Sequence, residues 1–166
     1  MPQVENLGAI LDGLADAGVE FIVVGGAAAV MQGAPVTTLD VDVVHQRSPE
    51  NIARLLGWLS IHDAYHRFDL ANRRLAPTEA QLSGTGHVNL QTDLGKLDLL
   101  CELAPGEGYE QVLADAVWMT HGTRQVRVLG LERLIQVKAA AGRPKDRIVV
   151  PILIATLEER RKRGER

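Results

Sequence analysis

The chain has 166 residues, 46% apolar and 23% charged. This ordinary globular composition excludes a disordered or fibrous protein and suits one domain over residues 1–166. The net charge of −3 and a pI of about 5.9 exclude a uniformly basic nucleic-acid surface, leaving room for a local basic strip. With only 4% aromatic residues, base-stacking platforms are not expected.

In chain order, Leu7, Ile10, Leu11 and Leu14 lie at helical spacing within Val4 to Ala17, and Gly18 suits the stop. The spacing predicts an amphipathic helix packed on a sheet. An apolar strand from about Glu20 to Val24 runs into Gly25-Gly26. A short helix from Ala27 would turn its positive end toward an anion that the glycines allow to approach closely. Gly33-Ala-Pro35 breaks that helix.

The next strand, Leu39-Asp-Val-Asp-Val-Val44, alternates faces with a period of two. Asp40 and Asp42 therefore share one face, with Leu39, Val41 and Val43 on the other, toward a core. Two adjacent carboxylates raise each other's pKa unless a cation or water lies between them. Mg²⁺ is the natural cation, since it takes hard oxygen ligands and completes its shell with water and substrate phosphates. Each half of this pattern has a plainer reading. Gly-Gly after a strand also makes a tight turn, and Asp-x-Asp also suits a solvated sheet edge.

Ser48-Pro49-Glu50 opens a helix to about Leu59. From Ser60 to Ser83 periodicity is poor, apart from one helical turn at Thr78 to Leu82. His62 and His66 form a two-ligand pair without a third and read as loop histidines. His62, His66, Arg67, Arg73 and Arg74 make a basic cluster, which reads either as counter-charge for phosphates or as a solvated loop. His87 to Thr92 and Lys96 to Cys101, joined by Asp93-Leu-Gly95, read as a β-hairpin in which Lys96, Asp98 and Leu100 share a face. If that strand neighbours the Asp-x-Asp strand, Asp98 joins Asp40 and Asp42. The lone Cys101 has no internal disulfide partner and reads as a small buried residue.

A short helix from Tyr109 to Ala116, a strand from Thr123 to Leu129 and a helix from Leu131 to Ala141 follow. Gly142 to Arg147 interrupts the pattern before an apolar helix to about Arg163, so the C-terminal helices run from about 130 to 163. Glu158 to Arg163 reads as a solvated helical end, with a nucleic-acid contact as the minority reading. With no secretory leader pattern and no membrane-length apolar run, the expected compartment is the cytoplasm and no membrane partner is expected.

These residues resemble the DNA polymerase beta superfamily of nucleotidyltransferases. That family joins an apolar strand, Gly-Gly or Gly-Ser, a short helix, Asp-x-Asp and a third carboxylate on another strand, here Gly25-Gly26, Asp40-Val-Asp42 and Asp98. The bacterial abortive-infection and toxin–antitoxin branch is the more similar, through Gly25-Gly26-x-Ala28, Gly33, Thr38, Asp40-x-Asp42, Leu134-Ile-x-x-Lys138 and Gly142-Arg-Pro-Lys-Asp146. The resemblance covers roughly residues 20 to 150.

It implies an α+β nucleotidyltransferase fold with α/β-like features, a mixed central sheet flanked by helices and a C-terminal helical segment. Asp40, Asp42 and Asp98 become the catalytic residues and the ligands of one or two Mg²⁺ ions. Gly25, Gly26, Thr38 and Lys138 become the nucleotide-binding residues, with Arg143 and Asp146 flanking them. The implied activity moves a nucleoside monophosphate from a nucleoside triphosphate to a hydroxyl on RNA, protein or a small molecule. A toxin–antitoxin or phage-defence setting with a cognate partner is part of that implication. The alternative is a nucleotidyltransferase-fold binding module with little turnover. One departure favours the alternative: related sequences often carry an arginine where this chain has Val36, which removes a cation near the triphosphate or the partner.

Overall fold

The computed structural model describes residues 6–165. Helix α1, Leu7–Asp16, opens them. Its cap is Asn6, whose side chain accepts from the Ala9 backbone N–H, and its inner face buries Ile10, Leu11 and Leu14. The predicted start at Val4 lies outside the described residues. Strand β1, Phe21–Val24, is buried along its whole length, as a strand covered on both faces must be. Helix α2, Gly25–Met31, follows it directly.

Strand β2, Asp40–His45, alternates half-buried Asp40 and Asp42 with buried Val41 and Val43. Helix α3, Pro49–Ile61, carries proline in its first turn and Ser48 as its cap. The two-residue strand β3, Tyr65–His66, the one-turn helix α4, Glu79–Leu82, and the hairpin of β4, His87–Thr92, and β5, Gly95–Leu100, come next. Helix α5, Tyr109–Val112, a 3₁₀ turn at Leu113–Asp115, strands β6, Ala116–His121, and β7, Arg124–Leu129, and helices α6, Leu131–Ala141, and α7, Pro144–Lys162, complete the chain.

Among the described residues, seven strands form one mixed sheet in the order β3-β4-β5-β2-β1-β7-β6. β1 pairs antiparallel with β2 and parallel with β7, while β2 pairs parallel with β5. The fold is therefore α+β with a mixed central sheet and helices around it, as the family resemblance implied. Its core joins α1 and α3 to the sheet through Ile10, Leu14, Ile22, Ile52, Leu55, Leu59, Leu97 and Leu99, all at most 2% exposed. Asn51 ties α3 to β1 without leaving the core. Its side chain accepts from the Glu20 N–H at 2.7 Å and donates to the carbonyls of Glu20 and Gln46 at 3.0 and 2.7 Å.

Several elements differ from the sequence reading. α2 begins at Gly25 rather than Ala27. Leu39 lies before β2 and is 66% exposed, so it does not share the core with Val41 and Val43. The helix predicted over Tyr109 to Ala116 ends early and gives way to β6, an edge strand whose half-exposed residues and 60% exposed Trp118 blur the alternation. Strand β3 is too short to show a period. The break before the last helix shrinks to Gly142-Arg143, because Gly142 takes φ +60° at the end of α6 and Asp146 accepts from the Arg143 backbone N–H at the start of α7.

Candidate nucleotide and metal site

The register of β2 on β5 assembles the site. Asp42 sits opposite Asp98 and Asp40 opposite Lys96 in the parallel pair. Since β-strand side chains repeat every second residue, the three aspartates emerge on the same face. Each offers an oxygen within 4.8 Å of the others, close enough for a shared metal ion. This convergence follows from two neighbouring strands, β2 presenting two acidic residues at alternate positions and β5 one.

The electrostatics are those of a site that wants a cation. Burial, then the charges of Asp40 and Asp98, push the Asp42 carboxyl up to about 7. Burial and Asp98 push Asp40 up as well, against the pull of Arg67 and Lys145. Asp42 Oδ1 is buried without a hydrogen-bond partner, although carboxylate oxygens inside a protein are normally satisfied. The carboxylate donor set, the orphaned oxygen and the short spacing fit a hard divalent ion such as Mg²⁺.

These groups open into a cleft of about 590 Å³, a size suited to a nucleotide. On one side stand Lys138, Arg143 and Lys145, and His87, Asn89 and Leu100 line it from β4 and β5. Gly26 and Thr38 also line it, together with Val36. Thr38 Oγ donates to the Asp40 carbonyl at 2.8 Å and faces Gly26 so closely that a Cβ there would lie 2.9 Å from it. Gly25 lies behind this wall against Asp42, with φ +64°.

Lys138 lies 3.8 Å from Asp146, which is 1% exposed, and the Arg143 Nε donates to the same carboxylate at 2.7 Å. Burial opposes the Asp146 charge, but the Arg143 hydrogen bonds and the nearby Lys138 outweigh it and hold the carboxyl below its ordinary range. Asp146 thus orients two of the cleft's cations.

The basic cluster divides on folding. Arg67 reaches the acidic centre, with a two-point hydrogen bond to Asp98 and a distance of 3.8 Å to Asp40. Arg73 instead pairs with Asp69, and the Arg74 guanidinium lies over the Tyr65 ring. His62 ends α3 and bonds Asp93, whereas His66 bonds Gln81, so the two do not share a ligand face. Cys101 is free and buried, as its flanking residues suggested. Among the described residues, no helix is long and apolar enough to cross a membrane.

The sequence reading did not single out Lys145, Asn89 or the contact of Arg67 with Asp98. Asn89 was open to discovery, because the hairpin register sets it opposite Asp98. Lys145 stood in a quoted motif without a role, and the start of α7 brings it to the cleft. For the Arg67 contact the sequence carries no signal, because the pairing is tertiary.

No protein-family model matches the chain, and no curated protein matches it by sequence. Solved structures do match. The lincosamide antibiotic adenylyltransferase LnuA, bound to lincomycin, aligns with a TM-score of 0.60 at 12% identity over 89% of this chain and 94% of that one. The antibiotic-resistance factor ANT(2'')-Ia gives 0.58 at 15% identity over 89% and 80%. A Thermotoga maritima protein assigned to the nucleotidyltransferases gives 0.54 at 19% identity over 89% of each chain. The chain therefore has the nucleotidyltransferase fold.

Proposed function

We propose that the protein is a divalent-metal-dependent nucleotidyltransferase, with Mg²⁺ as the ion, that transfers a nucleoside monophosphate from a nucleoside triphosphate to a hydroxyl acceptor. The observation that carries this reading is the triad of Asp40, Asp42 and Asp98, with its orphaned Asp42 oxygen, facing a cleft that also holds Lys138, Arg143 and Lys145. Carboxylates that can hold a metal beside cations that can hold phosphates suit phosphoryl-type transfer.

Asp40 and Asp42 hold the ion, and Asp98 completes the ligand set. The bound ion supplies Lewis-acid polarisation of phosphate oxygens and lowers the pKa of a coordinated hydroxyl. Lys138, Lys145 and Arg143 neutralise the triphosphate, while Gly26 and Thr38 give it a wall without bulky side chains. The acceptor oxygen forms a bond to the α-phosphorus, and the bond from that phosphorus to the bridging oxygen breaks. Pyrophosphate leaves with the electron pair, and the hydroxyl proton passes to a carboxylate of the triad or to water.

The two antibiotic-modifying neighbours support a small hydroxylated acceptor, whereas the sequence resemblance supports an RNA or protein acceptor in a toxin–antitoxin or phage-defence setting. Incubation with each radiolabelled nucleoside triphosphate, Mg²⁺ and either a cell extract or a panel of aminoglycosides and lincosamides separates these acceptors by the labelled fraction. Release of pyrophosphate that Asp42→Asn abolishes supports transferase activity. No labelled product and no pyrophosphate under any condition would reject it. The second reading, a binding module of this fold, is favoured by the Arg67 contact on Asp98 and by Val36 in the cleft wall.

A further inference from the structure

Arg67 follows the short strand β3, and its backbone N–H donates to the Asn89 carbonyl at 3.1 Å, which fixes the Cα beside β4. Its guanidinium grips both oxygens of Asp98, donates to the Leu90 carbonyl at 3.1 Å and stands 3.8 Å from Asp40. The Arg67 and Asp98 side chains are 14% and 13% exposed, so the pair is shielded from water. Among the described residues, Arg67 is the only cationic side chain within ion-pair distance of Asp40 or Asp98. A two-point guanidinium contact uses the same carboxylate oxygens that a metal ion would take.

We propose that Arg67 is the resident counter-ion of the acidic centre, occupying its Asp98 edge, so that a divalent ion gains Asp98 as a ligand only by displacing the guanidinium. This rests on the metal-site reading above and adds a control to it. One positive charge on Asp98 and Asp40 offsets part of the repulsion within the triad. The arrangement also gives the displaced side chain somewhere to go. The guanidinium already lies 4.7 Å from the centre of the Phe68 ring, which is 73% exposed. The chain beyond, residues 67–78, has no helix or strand, and its backbone turns through positive φ at Asn72 and Arg74.

Metal affinity, rather than turnover, is the direct readout of such a counter-ion. Mn²⁺ binding is followed by the loss of the free-ion paramagnetic resonance signal for the parent, Arg67→Met, Arg67→Lys and Arg67→Met/Asp98→Asn, with folding of each checked by circular dichroism. Arg67→Met keeps the stem and removes the competing charge, and is expected to bind Mn²⁺ at least tenfold more tightly, about 1.4 kcal/mol. Arg67→Lys keeps the charge without the two-point grip and is expected to fall between the two; it carries the test if Arg67→Met does not fold. The double variant is expected to lose the gain, because the gain acts through Asp98. Equal Mn²⁺ affinity in the parent and the folded Arg67 variants would overturn the proposal and leave the metal site standing. A gain that survives Asp98→Asn overturns it too. No Mn²⁺ binding by the parent or any variant rejects the metal-site reading itself, and this proposal with it.

Discussion

A Cβ on Gly25 would lie 2.4 Å from Asp42 Oδ2. The backbone there has φ +64°, a conformation that costs an L-residue roughly 1–2 kcal/mol. Glycine is therefore required twice, once by the turn from β1 into α2 and once by the carboxylate behind it. Gly25→Ala is expected to lower stability by more than the backbone cost alone and to weaken Mn²⁺ binding by shifting Asp42. Gly33→Ala isolates the backbone part, because φ there is +93° and nothing lies within 4 Å of the added carbon. Denaturant unfolding and Mn²⁺ titration of both variants measure this, and equal metal affinity in the two would remove Gly25 from the site.

The acidic centre also sets a pH dependence. Asp42 titrates near 7 in the folded chain against an ordinary 3.8, so between those values the folded state keeps a proton that the unfolded chain has released. This stabilisation is complete below about pH 4 and disappears as pH rises through 7. The raised Asp40 carboxyl acts in the same direction. In EDTA the protein is expected to lose stability from pH 4 toward pH 7.5, and Asp42→Asn is expected to flatten much of that slope. At pH 7.5 the variant is expected to be as stable as the parent or more so, yet to lose the Mg²⁺ gain of about 2.7 kcal/mol that a hundredfold excess over Kd gives the parent. Thermal melts with and without Mg²⁺ check both, and a parent indifferent to Mg²⁺ beside a markedly weaker Asp42→Asn would refute the metal site.

What could be read from the chain follows the range of the interactions. Asp40, Asp42 and Asp98 were legible because strand alternation is local and their apolar neighbours mark which face is buried. Gly25 was legible as a special residue, but its close approach to Asp42 was not, because that contact rests on the pairing of β1 with β2. Arg67, Arg73 and Arg74 look alike in sequence and were indistinguishable there. Only the pairing of β3 with β4 carries the chain at Arg67 to the acidic face. Edge strand β6 escaped notice because a strand with one partner keeps most of its residues half-exposed and loses its alternation.

Asn51 tests the fold apart from the chemistry. It is fully buried, and its three hydrogen bonds go to backbone groups of Glu20 and Gln46. Truncation leaves several of those groups unpaired, at about 1–3 kcal/mol each where water cannot enter. Asn51→Ala is expected to destabilise by roughly 2–4 kcal/mol in urea unfolding. Asn51→Asp keeps the acceptor for the Glu20 N–H but sets a carboxylate oxygen against two carbonyls, so it is expected to be at least as harmful at neutral pH. An aspartate variant more stable than the alanine variant would contradict this bonding scheme.

The two lysines of the cleft separate binding from architecture. Lys138 is 16% exposed and sits 3.8 Å from the buried Asp146, whose other partner, Arg143, is 57% exposed. Lys145 is exposed at the start of α7 and also lines the cleft. Removing Lys138 takes a cation from Asp146 and, in the proposed reaction, from the triphosphate as well. Lys138→Met is therefore expected to raise KM for the nucleoside triphosphate and to destabilise the fold by about 1–3 kcal/mol, since a buried carboxylate loses a partner. Lys145→Ala takes an exposed charge that would serve the triphosphate and otherwise only draws on Asp40 through space. It is expected to raise KM about five- to tenfold with no change in Tm or kcat, an effect that shrinks as salt rises and screens the exposed charge. Steady-state kinetics at two ionic strengths beside thermal melts decide between them. A Lys145→Ala protein with unchanged KM at low salt, or a Lys138→Met protein with unchanged Tm, would show that the cation wall does not work through these contacts.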